Sequence, residues 1–156
     1  MERSSSKYFR INWILNNQLA IGPAPLKKQH LDLLQQEGLA VILSLCDIKE
    51  VKIPESINTR FICKRFVLPD HKAGRLPSII EINQSINILS DLMQKGPVFV
   101  HCVAAMERSP LICMAWLVKK NKLNPQEALD YMMQSHSGTN PLPGQLALLK
   151  DLNKSD

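Results

Sequence analysis

Short apolar runs alternate with amphipathic segments along most of the chain. Five apolar runs predict strands at residues 8–14, 19–21, 39–45, 60–68 and 98–100. The run from Leu39 to Leu45 is nearly continuous, which is typical of a strand buried on both faces. A polar turn at Asn16 and Asn17 separates the first two strands.

Helices are predicted between and after these strands. They fall at residues 27–36, 79–93, 111–118, 125–135 and after 144. Ser78 and Glu81 have the spacing of a capping box, and Asn124 before a proline marks another helix start. Segment 111–118 is apolar nearly all round, which indicates a central, buried helix. The alternation predicts an α/β fold with a central, mostly parallel sheet flanked by helices, in one domain spanning residues 1–156.

The composition narrows the classes of partner. The chain has 156 residues, of which 45% are hydrophobic and 21% charged, and its formal net charge is +5. This positive excess favours anionic partners without choosing among nucleic acid, an anionic membrane and a phosphorylated substrate. Basic residues form no long run, so nucleic acid is not expected as a partner. The longest apolar run, 111–118, is too short to span a bilayer, and residues 1–6 lack a signal-type apolar region, so we expect a cytoplasmic protein without a membrane span.

The four cysteines are Cys46, Cys63, Cys102 and Cys113. They form no Cys-x-x-Cys pair and no zinc-finger pattern, so we expect no metal site and no cofactor. Cys63 and Cys113 lie in apolar segments and are predicted to be small buried hydrophobic residues.

Cys102 begins a loop between the strand 98–100 and the buried helix. The loop reads His101-Cys102-Val103-Ala104-Ala105-Met106-Glu107-Arg108-Ser109. Backbone N–H groups of such a loop can converge on phosphate oxygens, and the helix N-terminus behind it favours negative charge. The Arg108 guanidinium can bind phosphate with two parallel hydrogen bonds. The same positive field favours a Cys102 thiolate, placed for in-line attack and a phosphocysteine intermediate.

Segment 101–109 matches the His-Cys-x5-Arg-Ser/Thr signature of the protein tyrosine phosphatase superfamily. The chain also resembles compact dual-specificity phosphatases at residues 19–25, 41–45, 124–128 and 140–146. The resemblance implies a phosphate-binding loop between a strand and a buried helix, and hydrolysis of phosphotyrosine and phosphoserine or phosphothreonine in proteins. Two alternatives stay open: a phosphoinositide or other small phosphorylated substrate, and a phosphate-binding module with little turnover.

The resemblance also implies roles within the loop. The backbone of residues 103–107 and the Arg108 side chain would bind the phosphate. His101 matches the histidine that organises the loop and tunes the thiol. Ser109 matches the hydroxyl that helps the thiolate leave the phosphoenzyme.

A general acid is implied in a loop before the cysteine. Asp70 fits this role because it follows the strand that ends at Leu68. From the residues alone, Asp70 could instead cap the turn after Pro69. Asp47 is the other candidate acid, but it follows a different strand. Three basic residues beside Asp70 are either a solvated face or a patch that attracts anionic substrate: His71, Lys72 and Arg75.

Two loop residues depart from the family pattern. Ala105 stands where relatives usually carry glycine, so we expect an unusual backbone conformation there, at a cost of about 1 kcal/mol. Glu107 stands where relatives usually carry a small residue. We expect its carboxylate to point outward, toward a basic residue, because an inward charge would repel phosphate.

Cys46 follows the strand 39–45 and is expected near the phosphate-binding loop. Some lipid-phosphatase relatives place a thiol at the corresponding position, where it traps the oxidised catalytic cysteine. A reversible Cys46–Cys102 disulfide under peroxide is therefore a hypothesis, beside the alternative of an inert buried cysteine.

Overall fold

A mostly parallel sheet forms the centre of the computed structural model, which describes residues 9–105 and 107–152. Its order is β1-β2-β5-β3-β4. The strands are β1 (Asn12–Leu15), β2 (Leu19–Gly22), β3 (Val41–Ser44), β4 (Ile62–Arg65) and β5 (Val98–His101). β1 runs antiparallel to β2, and the other neighbouring pairs are parallel. The predicted fold class is confirmed, although the predicted strand start at Tyr8 lies outside the described residues.

Helices flank this sheet. Those in the described ranges are α1 (Lys28–Gln36), α2 (Ile57–Arg60), α3 (Ile79–Met93), α4 (Arg108–Lys120), α5 (Pro125–Ser135) and α6 (Gln145–Leu152). A 3-10 turn, His71–Ala73, lies in the loop before α3. Ser78 forms the predicted capping box, and Asn124, predicted to mark a helix start, also caps its helix with a capping box. Helix α2 was not predicted, and Arg60 was predicted to lie in a strand, because a four-residue helix is too short to show a helical period in the sequence.

Both faces of the sheet are covered by apolar side chains. Successive residues of a strand point to opposite faces. Val98 and Val100 accordingly join the core cluster that contains α4, whereas Phe99 joins the cluster that contains Leu31 of α1. All residues of α4 from Leu111 to Val118 are buried, as its all-round apolar pattern predicts.

The sheet edge formed by the carboxyl ends of β5, β3 and β4 carries the loops of interest. Ser44 of β3 lies opposite His101 of β5 in the parallel register. Cys102 follows β5, Cys46 follows β3, and Asp70 follows β4 after a short connection. Ligands of open α/β sheets bind outside this end of the strands.

The environments of two cysteines differ from one another. Cys113 is fully buried in α4, as predicted, and burial raises its pKa to about 12. The prediction for Cys63 is wrong, because this thiol is exposed. β4 is an edge strand whose residues are all exposed, so an apolar-looking run there does not imply burial.

No helix within the described ranges is long and apolar enough to cross a membrane.

Candidate active site

The loop between β5 and α4 forms the floor of the site. β5 ends at His101 and α4 begins at Arg108, so the loop backbone turns directly into a helix N-terminus. Cys102 is only 2% exposed. Ala105 has a φ of 61°, in the left-handed region, as the usual preference for glycine at this position predicts. An alanine in this conformation costs about 1 kcal/mol relative to glycine, which the surrounding contacts must offset.

A cavity of about 510 Å³ opens above this loop. Its wall brings together Cys102, Arg108 and Asp70, three of the four residues predicted to carry the chemistry. His71 and Lys72 also line it, whereas Arg75 instead pairs with Glu81, at 2.8 Å.

The guanidinium of Arg108 is held from one end by Glu50. Nη1 donates to Glu50 Oε2 at 3.1 Å and Nη2 donates to Oε1 at 2.8 Å, in a bidentate pair. Nη1 also lies within hydrogen-bond range of the carbonyl oxygens of Leu45 and Leu68, at 3.4 and 3.3 Å. The Arg108 side chain is 4% exposed, so its position is fixed by these partners. The hydrogen bonds from Arg108 are the main cause that lowers the pKa of Glu50.

One nitrogen of this guanidinium has no hydrogen-bond partner in the described part of the chain. Nε of Arg108 is buried and has no hydrogen-bond partner among the described residues, and the same holds for the hydroxyl of Ser109. Buried polar groups without partners are uncommon in proteins and call for an explanation.

His101 lies beneath the loop. Its Nε2 is 2.7 Å from the hydroxyl of Ser44, and its Nδ1 is 2.8 Å from the carbonyl oxygen of Cys102. Since a carbonyl oxygen only accepts, Nδ1 carries the proton and Nε2 accepts from Ser44. Burial lowers the pKa of His101 to about 4, so the ring is neutral near pH 7. This histidine therefore fixes the backbone at Cys102 rather than supplying a positive charge.

Asp70 occupies the turn between β4 and α3. Its carboxylate accepts a hydrogen bond from the backbone N–H of Lys72 at 3.0 Å and so caps the 3-10 turn. The capping alternative for Asp70 is thus observed, and the side chain also lies in the cavity wall. Asp47 does not line the cavity; its carboxylate accepts from the N–H of Lys49 at 3.0 Å.

Glu107 does face a basic residue, as expected. Its Oε1 accepts from the backbone N–H of His71 at 2.9 Å, and its Oε2 lies 3.6 Å from Nδ1 of the same histidine. The expected outward orientation is not observed in full, since the side chain is 13% exposed and lines the cavity. The carboxylate is directed to the loop that carries Asp70.

A family model for the catalytic domain of dual specificity phosphatases matches residues 25–155. The chain belongs to the dual specificity phosphatase family. Human "Dual specificity protein phosphatase 5" is 41% identical over 59 residues, which cover 37% of this chain and 15% of that protein. Human "Phosphatidylglycerophosphatase and protein-tyrosine phosphatase 1" is 25% identical over 146 residues, or 86% of this chain and 69% of that protein. The chain thus spans a small part of the first relative and about two thirds of the second.

Solved structures share the fold. Tk-PTP in its active form superposes with a TM-score of 0.80 at 19% identity, covering 94% of this chain and 97% of that one. PTPMT1 in complex with PI(5)P gives a TM-score of 0.79 at 20% identity, with coverage of 93% and 95%. At these identities the likeness establishes the architecture alone.

Two residues of this dual specificity phosphatase site were missed by the sequence analysis. No sequence motif identifies Glu50, because its partner Arg108 is 58 residues away along the chain. His136 is a second case; as a histidine at a helix end it shows no sequence signal for a partner. It is buried at the C-terminus of α5, with Nε2 2.7 Å from the carbonyl oxygen of Ala105 and Nδ1 2.6 Å from Oδ1 of Asn12.

Cys46 lies against the phosphate-binding loop, as predicted from its position at the end of a strand. Its thiol donates to the carbonyl oxygen of Cys102 at 3.6 Å. Arg65 donates to the carbonyl oxygen of Cys46, and its Nη1 lies 4.0 Å from the Cys46 sulfur. Burial raises the pKa of Cys46 despite this nearby charge.

In the part of the chain that the structure describes, no group of three or more His, Cys, Asp or Glu side chains could hold a metal ion.

Proposed function

We propose that this phosphatase hydrolyses phosphomonoesters through a phosphocysteine intermediate, with phosphotyrosine and phosphoserine or phosphothreonine of proteins as substrates. The observation that carries the proposal is the shared cavity of Cys102, Arg108 and Asp70. Family membership supports the same reaction.

Arg108 is suited to bind the phosphate through one free edge. A guanidinium offers an end edge, made by Nη1 and Nη2, and a side edge, made by Nε and Nη2. Glu50 occupies the end edge, while Nε is buried without a partner in the described residues. The side edge is thus left for two parallel hydrogen bonds to phosphate oxygens. Backbone N–H groups of the loop and the α4 N-terminus would complete the cradle.

In the first step, the Cys102 thiolate attacks phosphorus. The S–P bond forms as the P–O bond to the leaving group breaks, and Asp70 gives its proton to the departing oxygen. In the second step, Asp70 takes a proton from water, whose oxygen attacks phosphorus. The S–P bond then breaks, releasing inorganic phosphate and the thiolate. The Ser109 hydroxyl, which has no hydrogen-bond partner within the described residues, is available to stabilise that thiolate as it leaves.

A second candidate substrate is a phosphoinositide or another phosphorylated lipid. A groove of about 970 Å³ lies beside β3 and β4. Its lining contains four basic side chains and one carboxylate: Lys49, Lys52, Lys64, Arg65 and Glu55. This charge excess suits a substrate with a second anionic group. A Lys52→Gln/Lys64→Gln double variant would then lose activity on a phosphoinositide while keeping its activity on an aryl phosphate.

We also propose a single catalytic domain over residues 1–156 and a cytoplasmic location. The cysteines at positions 46, 63, 102 and 113 are all free thiols, which suits a reducing compartment. Imaging of the tagged protein in its native cell would test the location.

Phosphate release from an aryl phosphate tests the main proposal. We expect turnover that survives a chelator, is inhibited by vanadate, and disappears in Cys102→Ser. An Asp70→Ala variant should retain bound phosphoproteins or lipids long enough for their identification. Tight phosphate binding without turnover in the wild type would instead favour a phosphate-binding module.

A further inference from the structure

Glu107 connects two loops that carry different parts of the proposed chemistry. It is the residue before Arg108 in the phosphate-binding loop, and its carboxylate reaches the residue after Asp70. The contact has two components: the 2.9 Å bond from the His71 backbone N–H and the 3.6 Å approach of the His71 ring.

The backbone component dominates this contact. The His71 ring is 60% exposed, and an exposed ion pair contributes little. The Glu107 side chain is 13% exposed, and its bond to a backbone N–H does not require a flexible partner side chain to be ordered. A charged acceptor also makes this hydrogen bond stronger than a neutral one.

The segment that Glu107 holds has few bonds of its own. The turn is closed by the bond from Ala73 N to Asp70 O, at 3.0 Å, and by the Asp70 cap on Lys72. It contains three residues and ends at Gly74, in the left-handed conformation. An attachment at His71 therefore restrains the position of Asp70 relative to the cavity.

We propose that Glu107 is a positioning residue that fixes Asp70 over the phosphate-binding loop. The proposal rests on the proposed role of Asp70 as general acid. It also accounts for a carboxylate next to an anion site: its charge is directed to the backbone N–H of His71 rather than to the phosphate.

Aryl phosphates with different leaving groups provide the test. Phenyl phosphate needs protonation of its departing oxygen, whereas 2,4-dinitrophenyl phosphate does not. The comparison uses kcat/KM, which reports the steps up to departure of the leaving group and excludes the later hydrolysis of the phosphocysteine, in which Asp70 acts as base. We expect Glu107→Ala to lower kcat/KM for phenyl phosphate by about tenfold or more, and to change kcat/KM for the dinitrophenyl ester by less than about threefold. Glu107→Gln keeps an acceptor for the His71 N–H and should recover most of the lost rate. His71→Ala keeps the backbone donor, so the ratio of the two kcat/KM values should stay within about threefold of the wild-type ratio even if removal of the ring changes both values.

Asp70→Asn separates this proposal from the one on which it rests. We expect it to show the same leaving-group dependence, and Glu107→Ala should add little to it in the double variant. If Asp70→Asn shows the dependence and Glu107→Ala lowers kcat/KM for both esters equally, the positioning role is wrong and the acid role stands. If Asp70→Asn itself lowers kcat/KM for both esters equally, the acid role fails and the positioning role fails with it.

Discussion

Nε2 of His136 lies 2.7 Å from the carbonyl oxygen of Ala105, the residue of the phosphate-binding loop with a left-handed backbone. The carbonyl accepts, so this nitrogen donates. Both groups are buried, and burial lowers the pKa of His136. The C-terminus of α5 thus fixes the orientation of a strained peptide in the loop.

Replacing His136 with phenylalanine keeps a ring of similar size but removes the donor. We expect the free energy of unfolding to fall by about 1–3 kcal/mol, because the Ala105 carbonyl would be buried without a partner. Vanadate inhibition should also weaken, since the loop peptides that bind its oxygens lose their orientation. Urea denaturation and the vanadate inhibition constant measure the two effects. Tyr131→Phe is the matched control, because its hydroxyl donates from the same helix to Ile14 rather than to the loop. Equal weakening of vanadate binding in both variants would contradict the assignment.

The Glu50–Arg108 pair leads to a second prediction. In Glu50→Gln, the side-chain NH2 group would face an Arg108 nitrogen, so the two parallel hydrogen bonds cannot both form. We expect kcat/KM for an aryl phosphate to fall roughly 10- to 100-fold, as for loss of a charge-assisted hydrogen bond. Lys49→Gln serves as the control, because Lys49 lies on the same loop but lines the other groove. A change of less than about threefold in Glu50→Gln would show that Arg108 is positioned without it.

We predict that the stability of the folded protein depends on pH through the buried His101. Its pKa is about 4 in the folded protein, against an ordinary value of 6.5, because burial disfavours the charged ring. The unfolded chain therefore binds a proton that the folded protein does not between these values, and stability falls as the pH is lowered through this range. The loss from this group should reach roughly 1–2 kcal/mol by pH 5.5 and about 3 kcal/mol near pH 4.

Urea denaturation of wild type and His101→Asn from pH 7.5 to 5.5 checks this prediction. Most carboxylates do not titrate in this pH range. Burial also lowers the pKa values of His30 and His136, so these two residues contribute to the loss of stability in the same direction in both proteins. The variant should be less stable at pH 7.5, yet lose less stability on acidification. Parallel curves for the two proteins would rule out His101 as a source of the dependence.

The parts of the fold that the sequence predicted are encoded locally. Ser78 and Glu81 are three residues apart in a capping box, and the strand, the loop with Cys102 and the buried helix follow one another without interruption. The missed contacts join distant segments, such as Glu50 with Arg108. These contacts form because the order of the strands in the sheet brings distant loops to one edge. A pattern within a single sequence does not predict that order.

For the same reason, the partners of charged and titratable residues were predicted less well than the burial of apolar ones. The sequence predicted a basic partner for Glu107 in general terms. That its carboxylate accepts from the backbone N–H of His71 follows only from the folded loop. His136 had no predicted partner and proved to contact Ala105. Cys63 is a different kind of error. It was predicted to be buried because its neighbours in the sequence are apolar, but β4 lies at the sheet edge and Cys63 is exposed there.

Oxidation of the site gives the last prediction. The Cys46 thiol donates to the Cys102 carbonyl oxygen, so the two residues are adjacent. Burial raises the pKa of Cys46, which favours its thiol form and leaves Cys102 as the residue expected to react first with peroxide. Peroxide converts the Cys102 thiolate to a sulfenic acid, and attack by the Cys46 sulfur forms the disulfide and releases water. Wild type should therefore recover its activity with a thiol reductant after peroxide treatment.

Cys46→Ser should lose this protection. We expect its inactivation by peroxide to become largely irreversible, with sulfinic and sulfonic forms of Cys102 in peptide maps. Cys63→Ser is the control, because Cys63 is a free and exposed thiol on β4 and should leave recovery unchanged. Mass spectrometry of the oxidised wild type should identify the Cys46–Cys102 peptide pair. Over-oxidised Cys102 without that pair in the wild type would show that Cys46 is an inert buried cysteine.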